Sequence, residues 1–213
     1  MLLSIHIPKC GGTSFRRVLG RLFGPRLALD YASPFADSPP AAVPADTSCI
    51  HGHFRAGKYA ALFPGARLVT WVRHPVSRVA SHYAYFRRHP ELGAANPVCR
   101  AVHERGLSLV DFARLDSMCD RMSWFLQGRR VEDFAFIGIV EEYEQSLARF
   151  GAWLGADPGP APRENASPDA AGGWRVGPAE AAAILDLNRA DVRWYAAARA
   201  AAAAAPEPQR RAV

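Results

Sequence analysis

The segment spanning residues 5–15, IHIPKCGGTSF, combines residue types that bind anions. Lys9 supplies a positive charge, and Gly11 and Gly12 let the backbone approach an anion closely. Thr13 and Ser14 add hydroxyl donors at the start of a predicted helix, whose free N–H groups and positive dipole end attract negative charge. The segment therefore predicts a phosphate cradle. A tight strand-to-helix turn with Thr13 as its cap is the structural alternative, although it leaves Lys9 without a role.

The order of residues separates this segment from two common nucleotide-binding loops. A Walker A loop, GxxxxGK[ST], places its lysine after the last glycine, whereas Lys9 precedes Gly11 and Gly12. The segment is not a GxGxxG dinucleotide loop either.

A second anion-binding pattern, WVRHPVSRVAS, begins in a predicted strand and continues into a helix. Arg73 follows the strand at its carboxyl end, which is where ligands bind in open parallel sheets. An arginine can hold a phosphate through two N–H groups, and Ser77, Ser81 and Tyr85 recur every four residues on one helix face. Two such sites at the ends of neighbouring strands suggest a ligand with phosphate at both ends. The alternative is an arginine that caps carbonyl groups beside a solvated serine face.

The third pattern is His51-Gly52-His53 at the end of a short predicted strand. Side chains alternate along a strand, so both imidazoles point to the same side. A neutral imidazole near pH 7 is suited to act as a general base. A metal site needs further ligands, and no nearby HxxxH or CxxC supplies them. One structural and one surface histidine is the alternative. The other five histidines are scattered along the chain, and most of them are interpreted as structural or solvated: His6, His74, His82, His89 and His103.

The elements that must position these residues follow one repeated pattern, in which an apolar strand leads into an amphipathic helix. Strands that alternate with helices predict an α/β fold with a central parallel sheet covered by helices on both faces. The predicted strand–helix units are Leu2–Ile7 with Thr13–Phe23, Arg67–Val72 with Pro75–His89, and Phe134–Val140 with Glu141–Leu154, and a further strand is Ser48–Gly52.

Length and charge narrow the class of protein. A chain of 213 residues fits one domain, predicted over 1–205, with a frayed tail at 206–213. Surface loops are predicted at 32–47 and 157–178, and an Ala-rich helix at 179–205. The net charge of +6 suits an anionic ligand without requiring nucleic acid.

Compartment and assembly are predicted from apolar runs and cysteines. No stretch of about 18 apolar residues occurs, so we expect no membrane span. The segment MLLSIHIPK has no basic region at its start, and Pro8-Lys9 interrupts its apolar run, so we expect no signal peptide and a cytoplasmic location. The four cysteines lack CxxC spacing and are expected to be reduced thiols, with a Cys99–Cys119 bridge left open. The oligomeric state stays open, because the Ala-rich helix suits a dimer surface or ordinary packing.

Taken together, the three patterns resemble the PAPS-dependent sulfotransferases, in particular the heparan sulfate 2-O-sulfotransferase-like branch and its bacterial relatives. HIPKCGGTSF resembles the 5′-phosphosulfate loop of that family, and VRHPVSRVASHYAYFRR resembles its 3′-phosphate motif, R-x-P-x-x-R-x-x-S-x-Y. IHGHF is similar to the HGH segment that carries the catalytic base, and GIVEEYEQSL to the strand and helix that follow. The likeness spans residues 1–155 and extends to RENAS at 163–167.

The resemblance implies a P-loop-NTPase-like sulfotransferase fold and a role for each matched residue. Lys9 would stabilise the leaving phosphate, and His53, with His51 as the alternative, would deprotonate the acceptor hydroxyl. The 3′-phosphate would lie on Arg73 and Ser81, and Asn165 would close over the nucleotide. The residues implied to hold the 5′-phosphate are Lys9, Cys10, Gly11, Gly12, Thr13 and Ser14.

The function implied is transfer of a sulfuryl group from PAPS to a hydroxyl, with PAP as product, a carbohydrate as the favoured acceptor and no metal required. Two alternatives remain open at this point. One is an ATP-dependent, kinase-like phosphotransferase, and the other is a non-catalytic module that binds a nucleotide or an acidic glycan.

Overall fold

A computed structural model describes residues 1–32, 43–161 and 175–204. Its five strands form one sheet in the order β2-β3-β1-β4-β5, and every neighbouring pair is parallel. The protein is therefore an α/β protein with a central parallel sheet flanked by helices. The strands are β1 Leu2–Ile5, β2 Leu27–Asp30, β3 Cys49–Gly52, β4 Arg67–Val72 and β5 Phe136–Ile139.

The strand order reverses at β1, and this reversal defines where a ligand can bind. From β1 the chain passes to β2 and β3 on one side, and then to β4 and β5 on the other. In register, Ile5 of β1 lies opposite Gly52 of β3 and Thr70 of β4. The carboxyl ends of these strands thus meet at one edge, and open parallel sheets bind ligands in the crevice at such a reversal.

Eight α-helices are described, and local sequence explains several of their amino ends. Pro75 occupies the first position of α2, where its missing N–H costs nothing. Asn96 caps α3, and Ser108 with Asp111 forms a capping box on α4. The helices are α1 Gly12–Phe23, α2 Pro75–Arg88, α3 Pro97–Glu104, α4 Leu109–Ala113, α5 Arg121–Phe125, α6 Tyr143–Leu154, α7 Pro178–Leu187 and α8 Arg189–Ala204.

The three predicted strand–helix units are confirmed as β1–α1, β4–α2 and β5–α6, and the strand predicted at Ser48–Gly52 is β3. Strand β2 was not predicted, because its four residues are too short for a periodic signal and three of them are not buried. The helix predicted over 179–205 is two helices that meet at Asn188, whose side-chain amide donates to the Ile184 carbonyl.

Two hydrophobic clusters fix the helices. The larger cluster joins the sheet to α1, α6 and α8, and within it Phe15 of α1 is fully buried against Trp71 and Phe150. Burial of one such ring stabilises the fold by about 1.5–3 kcal/mol, so α1 is held firmly on the sheet. The second cluster lies between α2, α3, α4 and α7.

Other features bear on the predictions from composition. All four cysteines are free, so Cys99 and Cys119 are not bonded to each other. Among the helices of the described ranges, none has both the length and the apolar character that a membrane crossing requires.

Candidate functional site

The residue that precedes α1 supplies no side-chain cap to the helix. Lys9 and Gly11 both have positive φ, at 68° and 73°, and Gly11 is the residue that precedes the helix. No side chain of Gly11 can accept from the first N–H groups of α1, and none of the first-turn residues is acidic. Uncapped N–H groups at a helix start form a site for an anion.

Gly12, the first residue of α1, lies against the imidazole of His6. A Cβ built on Gly12 would lie 1.9 Å from Cδ2 of His6 and 2.2 Å from its Nε2, which is a severe overlap. Only glycine therefore fits at this position while His6 stays in place. The sequence pattern predicted glycine here for close approach to an anion, and the structure adds a second reason on the protein side.

Lys9 and Arg73 meet at the edge shared by β1 and β4. Nη1 of Arg73 donates to the main-chain carbonyl of Lys9 at 3.3 Å, which links the two predicted anion-binding patterns directly. The Lys9 ammonium lies 4.1 Å from the ring centre of Tyr85 on α2. Burial and the positive charges of Arg73 and Arg88 lower the pKa of Lys9 to about 8.

Helix α2 presents Ser81 on the face that contacts Lys9. Ser81 lies one turn before Tyr85, whose ring touches the Lys9 ammonium, and residues four apart share a helix face. Ser81 is 7% exposed. Arg73 is half-buried, and burial lowers its pKa, which a neighbouring Glu141 partly offsets. Arg73 and Ser81 thus approach the Lys9 loop from the β4–α2 side.

The remaining predicted cradle residues differ in their surroundings. Thr13 is exposed and Ser14 is 8% exposed at the start of α1. Cys10 lies in the core, its N–H donates to the Ile7 carbonyl at 3.1 Å, and burial raises the pKa of its thiol to about 12. Cys10 therefore shapes the turn and has the least support as a ligand contact. Asn165 lies outside the described residues.

His51 is sealed inside the protein. Its side chain is 1% exposed, and its Nδ1 lies 2.8 Å from the hydroxyl of Ser4 on the adjacent strand. Burial is the largest cause that lowers the pKa of His51, to about 3. This imidazole is neutral at pH 7 and has no route to an acceptor in bulk solvent.

His53 has the properties of a general base. It is half-buried, and its Nδ1 donates to the main-chain carbonyl of His6 at 2.6 Å. That bond places the proton on Nδ1 and leaves the Nε2 lone pair to accept another. Burial lowers the pKa of His53, so the ring is neutral near pH 7. Of the two predicted candidates, the geometry favours His53.

Sequence reasoning missed two residues of this cluster, His6 and Tyr31. The His6 ring lies 4.3 Å from that of His53 and 5.2 Å from that of His51, centre to centre. The Tyr31 hydroxyl lies 2.9 Å from Nδ1 of His6. His6 directly follows β1, just as His53 directly follows β3. This shared position after a strand is the sequence signal that could have identified His6 as part of the site. Tyr31 follows β2, which had no detectable pattern.

A buried polar network connects α2 to α5 and α8. Arg78 is fully buried, donates to the Met118 carbonyl at 2.9 Å, and lies 3.8 Å from the carboxylate of Asp191. Asp191 accepts from two N–H groups at the start of α5, and Asp120 accepts from two at the start of α8. The reciprocal caps place Arg121 of α5 near His53, and its charge contributes to lowering the pKa of that imidazole.

The described residues contain no group of three or more His, Cys, Asp or Glu side chains arranged to hold a metal ion. Comparison with protein-family models finds no match to this chain, and a search of curated proteins finds none either. The geometry therefore carries the functional argument: a glycine before the helix, an arginine that donates to the carbonyl of the loop lysine, and a neutral imidazole after the adjacent strand.

Proposed function

We propose that the protein transfers a sulfuryl group from PAPS to a hydroxyl of an acceptor, with a carbohydrate as the favoured acceptor class. The observation that carries the proposal is the contact between Arg73 and the Lys9 carbonyl. It brings two anion-binding elements, predicted separately from sequence, to one reversal point of a parallel sheet.

The residues present fit a nucleotide that is charged at both ends. The first N–H groups of α1 and the Lys9 ammonium suit the 5′-phosphosulfate end. Arg73 and Ser81 suit a 3′-phosphate, because a guanidinium and a hydroxyl both donate to phosphate oxygens. A 3′-phosphate is also the feature that separates PAPS from ATP, so Arg73 and Ser81 would select the donor.

The chemistry requires a base for the acceptor and a cation for the leaving group. In the proposed step, Nε2 of His53 takes the hydroxyl proton as the acceptor oxygen bonds to sulfur. The bond between sulfur and the 5′-phosphate oxygen breaks, and its electron pair stays on that phosphate. The Lys9 ammonium offsets the charge that develops there.

The phosphotransferase alternative has less support. Such enzymes hold Mg²⁺ through carboxylates near the phosphates. In the described residues, Asp30 ends β2 and Glu141 follows β5. Oδ2 of Asp30 accepts from Lys58 and Tyr59, and Oδ1 is buried. Glu141 accepts from the His74 N–H and from Tyr195. Both carboxylates therefore already bind donors of the protein itself.

Nucleotide selectivity tests the proposal. Calorimetry with PAP, AMP and ATP, with and without Mg²⁺, should show PAP binding at least about tenfold more tightly than AMP, since the extra phosphate adds charge-assisted hydrogen bonds. Arg73→Gln should remove this preference. Equal affinities for PAP and AMP, or tight binding of ATP that depends on Mg²⁺, would contradict the proposal and favour the phosphotransferase.

The base assignment is tested by a pair of variants. His53→Ala should lower the rate of PAP formation from PAPS about 10²–10⁴-fold while PAP still binds normally. A non-catalytic binding module would bind PAP and show no turnover even in the unaltered protein. Loss of turnover in His51→Ala but not in His53→Ala would overturn the assignment.

A further inference from the structure

We propose that His6 is a positioning residue, held by Tyr31, that keeps the base His53 in register with the anion cradle at the start of α1. The inference rests on the proposed function, since it takes His53 as the base. It adds two residues, neither part of the predicted site, that act through their neighbours and do not touch the reacting atoms.

His6 supports His53 in two independent ways. Its main-chain carbonyl accepts the Nδ1 proton of His53 at 2.6 Å, which sets the tautomer that a base needs. Its imidazole packs against the His53 ring with the centres 4.3 Å apart and the planes tilted by 35°. The first contact fixes the tautomer, and the second limits how far the His53 ring can tilt or slide.

The same imidazole is also in contact with the cradle. Gly12 approaches His6 so closely that a single added carbon would overlap the ring. The first residue of α1 and the His53 ring therefore both lie against the His6 imidazole. This one ring connects the cradle to the base.

Tyr31, which directly follows β2, holds the His6 imidazole in place. Its hydroxyl lies 2.9 Å from Nδ1 of His6, and its ring is perpendicular to the rings of His6 and His53. The neighbouring Asp30 is held by Lys58 at 2.6 Å and by the Tyr59 hydroxyl at 2.8 Å. Lys58 and Tyr59 belong to the loop that follows His53. Their bonds to Asp30 therefore connect the segment that carries Tyr31 to the segment that carries the base.

The surroundings of His6 suit a positional role rather than proton transfer. His6 is 8% exposed. The groups that face it are His51 and His53 from β3 and its end, Arg16 from α1, and Lys9 from the loop. Burial first, and then these neighbours, hold the pKa of His6 well below its ordinary value. The ring therefore stays neutral and keeps one hydrogen-bonding state across the physiological range.

Loss of the ring should disturb turnover more than donor binding. Without it, His53 gains space to move away from the cradle, and a misplacement of about 1 Å can cost about 100-fold in rate. The helix start, Lys9 and Arg73 remain, so the affinity for PAP should change little.

The test compares His6→Ala and Tyr31→Phe with His103→Ala, a control on α3. His103 is exposed and bonds to the Phe86 carbonyl, so its loss removes a comparable hydrogen bond outside the cluster. For each variant, kcat and KM for PAPS are measured by PAP release with a panel of neutral oligosaccharides as acceptors, and PAP affinity by calorimetry. We expect kcat to fall about 100-fold in His6→Ala and about tenfold in Tyr31→Phe, with the dissociation constant of PAP within about threefold of the unaltered protein.

The outcomes separate this inference from the proposed function. If the unaltered protein neither binds PAP nor releases it from PAPS, the proposed function and the inference fail together. If the unaltered protein is active and Tyr31→Phe, which removes a single oxygen, behaves like His103→Ala, the inference alone fails. A parallel loss of PAP affinity and kcat in His6→Ala would also overturn it, because His6 would then support the cradle rather than the base.

Discussion

The β1–α1 and β4–α2 junctions look alike in sequence but differ in what occupies their helix starts. Both follow a buried strand and end at the same edge of the sheet. At β4–α2, the Glu141 carboxylate accepts the His74 N–H at 2.8 Å, and Pro75 removes the next donor. At β1–α1, the preceding residue is Gly11, which has no side chain to cap the helix. The protein thus places a carboxylate at one junction and a glycine at the other.

Under the proposed function, this difference would give the two patterns distinct roles. The β1–α1 junction contributes backbone N–H groups and Lys9, whereas the β4–α2 junction contributes side chains, Arg73 and Ser81. A phosphate bound by Arg73 and Ser81 at β4–α2 would therefore be held by side chains, beside a helix whose preceding N–H already has an acceptor in Glu141. The following experiments test this division.

The largest expected effect is on the rate when Lys9 is removed. Lys9→Ala should lower kcat about 10²–10³-fold, because the ammonium acts mainly on charge that develops in the transition state. PAP binding should persist. His74→Ala, at the matching place of the other junction, should keep kcat within about threefold of the unaltered protein. Full activity in Lys9→Ala would remove the proposed asymmetry.

Replacing the first residue of each helix by alanine should affect binding at one junction only. Gly12→Ala forces a methyl group into His6, and overpacking of this kind lowers the free energy of unfolding by about 1–3 kcal/mol. His6 or the start of α1 must then shift, so PAP affinity should fall at least about tenfold. Pro75→Ala in α2 serves as the matched control and should leave PAP affinity unchanged. Calorimetry measures PAP affinity in both variants, and thermal denaturation checks that both are folded. An equal loss of PAP affinity in the two variants would show that the helix starts are equivalent.

Neutralising the Glu141 carboxylate should strengthen PAP binding modestly. In Glu141→Gln the amide oxygen can still accept the His74 N–H, while the negative charge beside Arg73 is lost. PAP should bind about two- to fivefold more tightly at low salt, with less gain at high salt because ions screen the charge. Glu142→Gln, whose carboxylate pairs with Arg199, is the control. Weaker binding in Glu141→Gln would argue that Glu141 supports the site.

The smallest expected effect is the uptake of a fraction of a proton by Lys9 when PAP binds. Lys9 has a pKa of about 8 in the folded protein against an ordinary value of 10.5, so the folded state disfavours its charge. Without ligand, the free energy of unfolding should rise as the pH rises from about 8 to about 10.5. A bound anion favours the charged form, so PAP should bind with uptake of about half a proton at pH 8 and more weakly above it.

Calorimetry in buffers of different ionisation enthalpy measures that uptake. Lys9→Met should abolish it, whereas Arg73→Gln should weaken binding and keep it, since an arginine holds its proton at this pH. Uptake that survives in Lys9→Met would place the titrating group elsewhere.

Much of the architecture is encoded in local sequence. The units β1–α1, β4–α2 and β5–α6 are predictable because each buries a continuous apolar strand and then one face of a helix. Short elements are different. Helix α5 has five residues, and Asp191, nearly seventy residues later in the chain, accepts two of its first N–H groups. No local sequence pattern could therefore predict where α5 begins.

For the site, the sequence by itself determined the residue types: a lysine before paired glycines, an arginine after a strand, and two histidines around a glycine. Only the tertiary structure decided which of them meet. His53 and His6 are 47 residues apart, His6 and Tyr31 are 25, and His74 and Glu141 are 67. These contacts depend on the order in which strands join the sheet, and strand order is set by the packing of the whole chain rather than by any one segment.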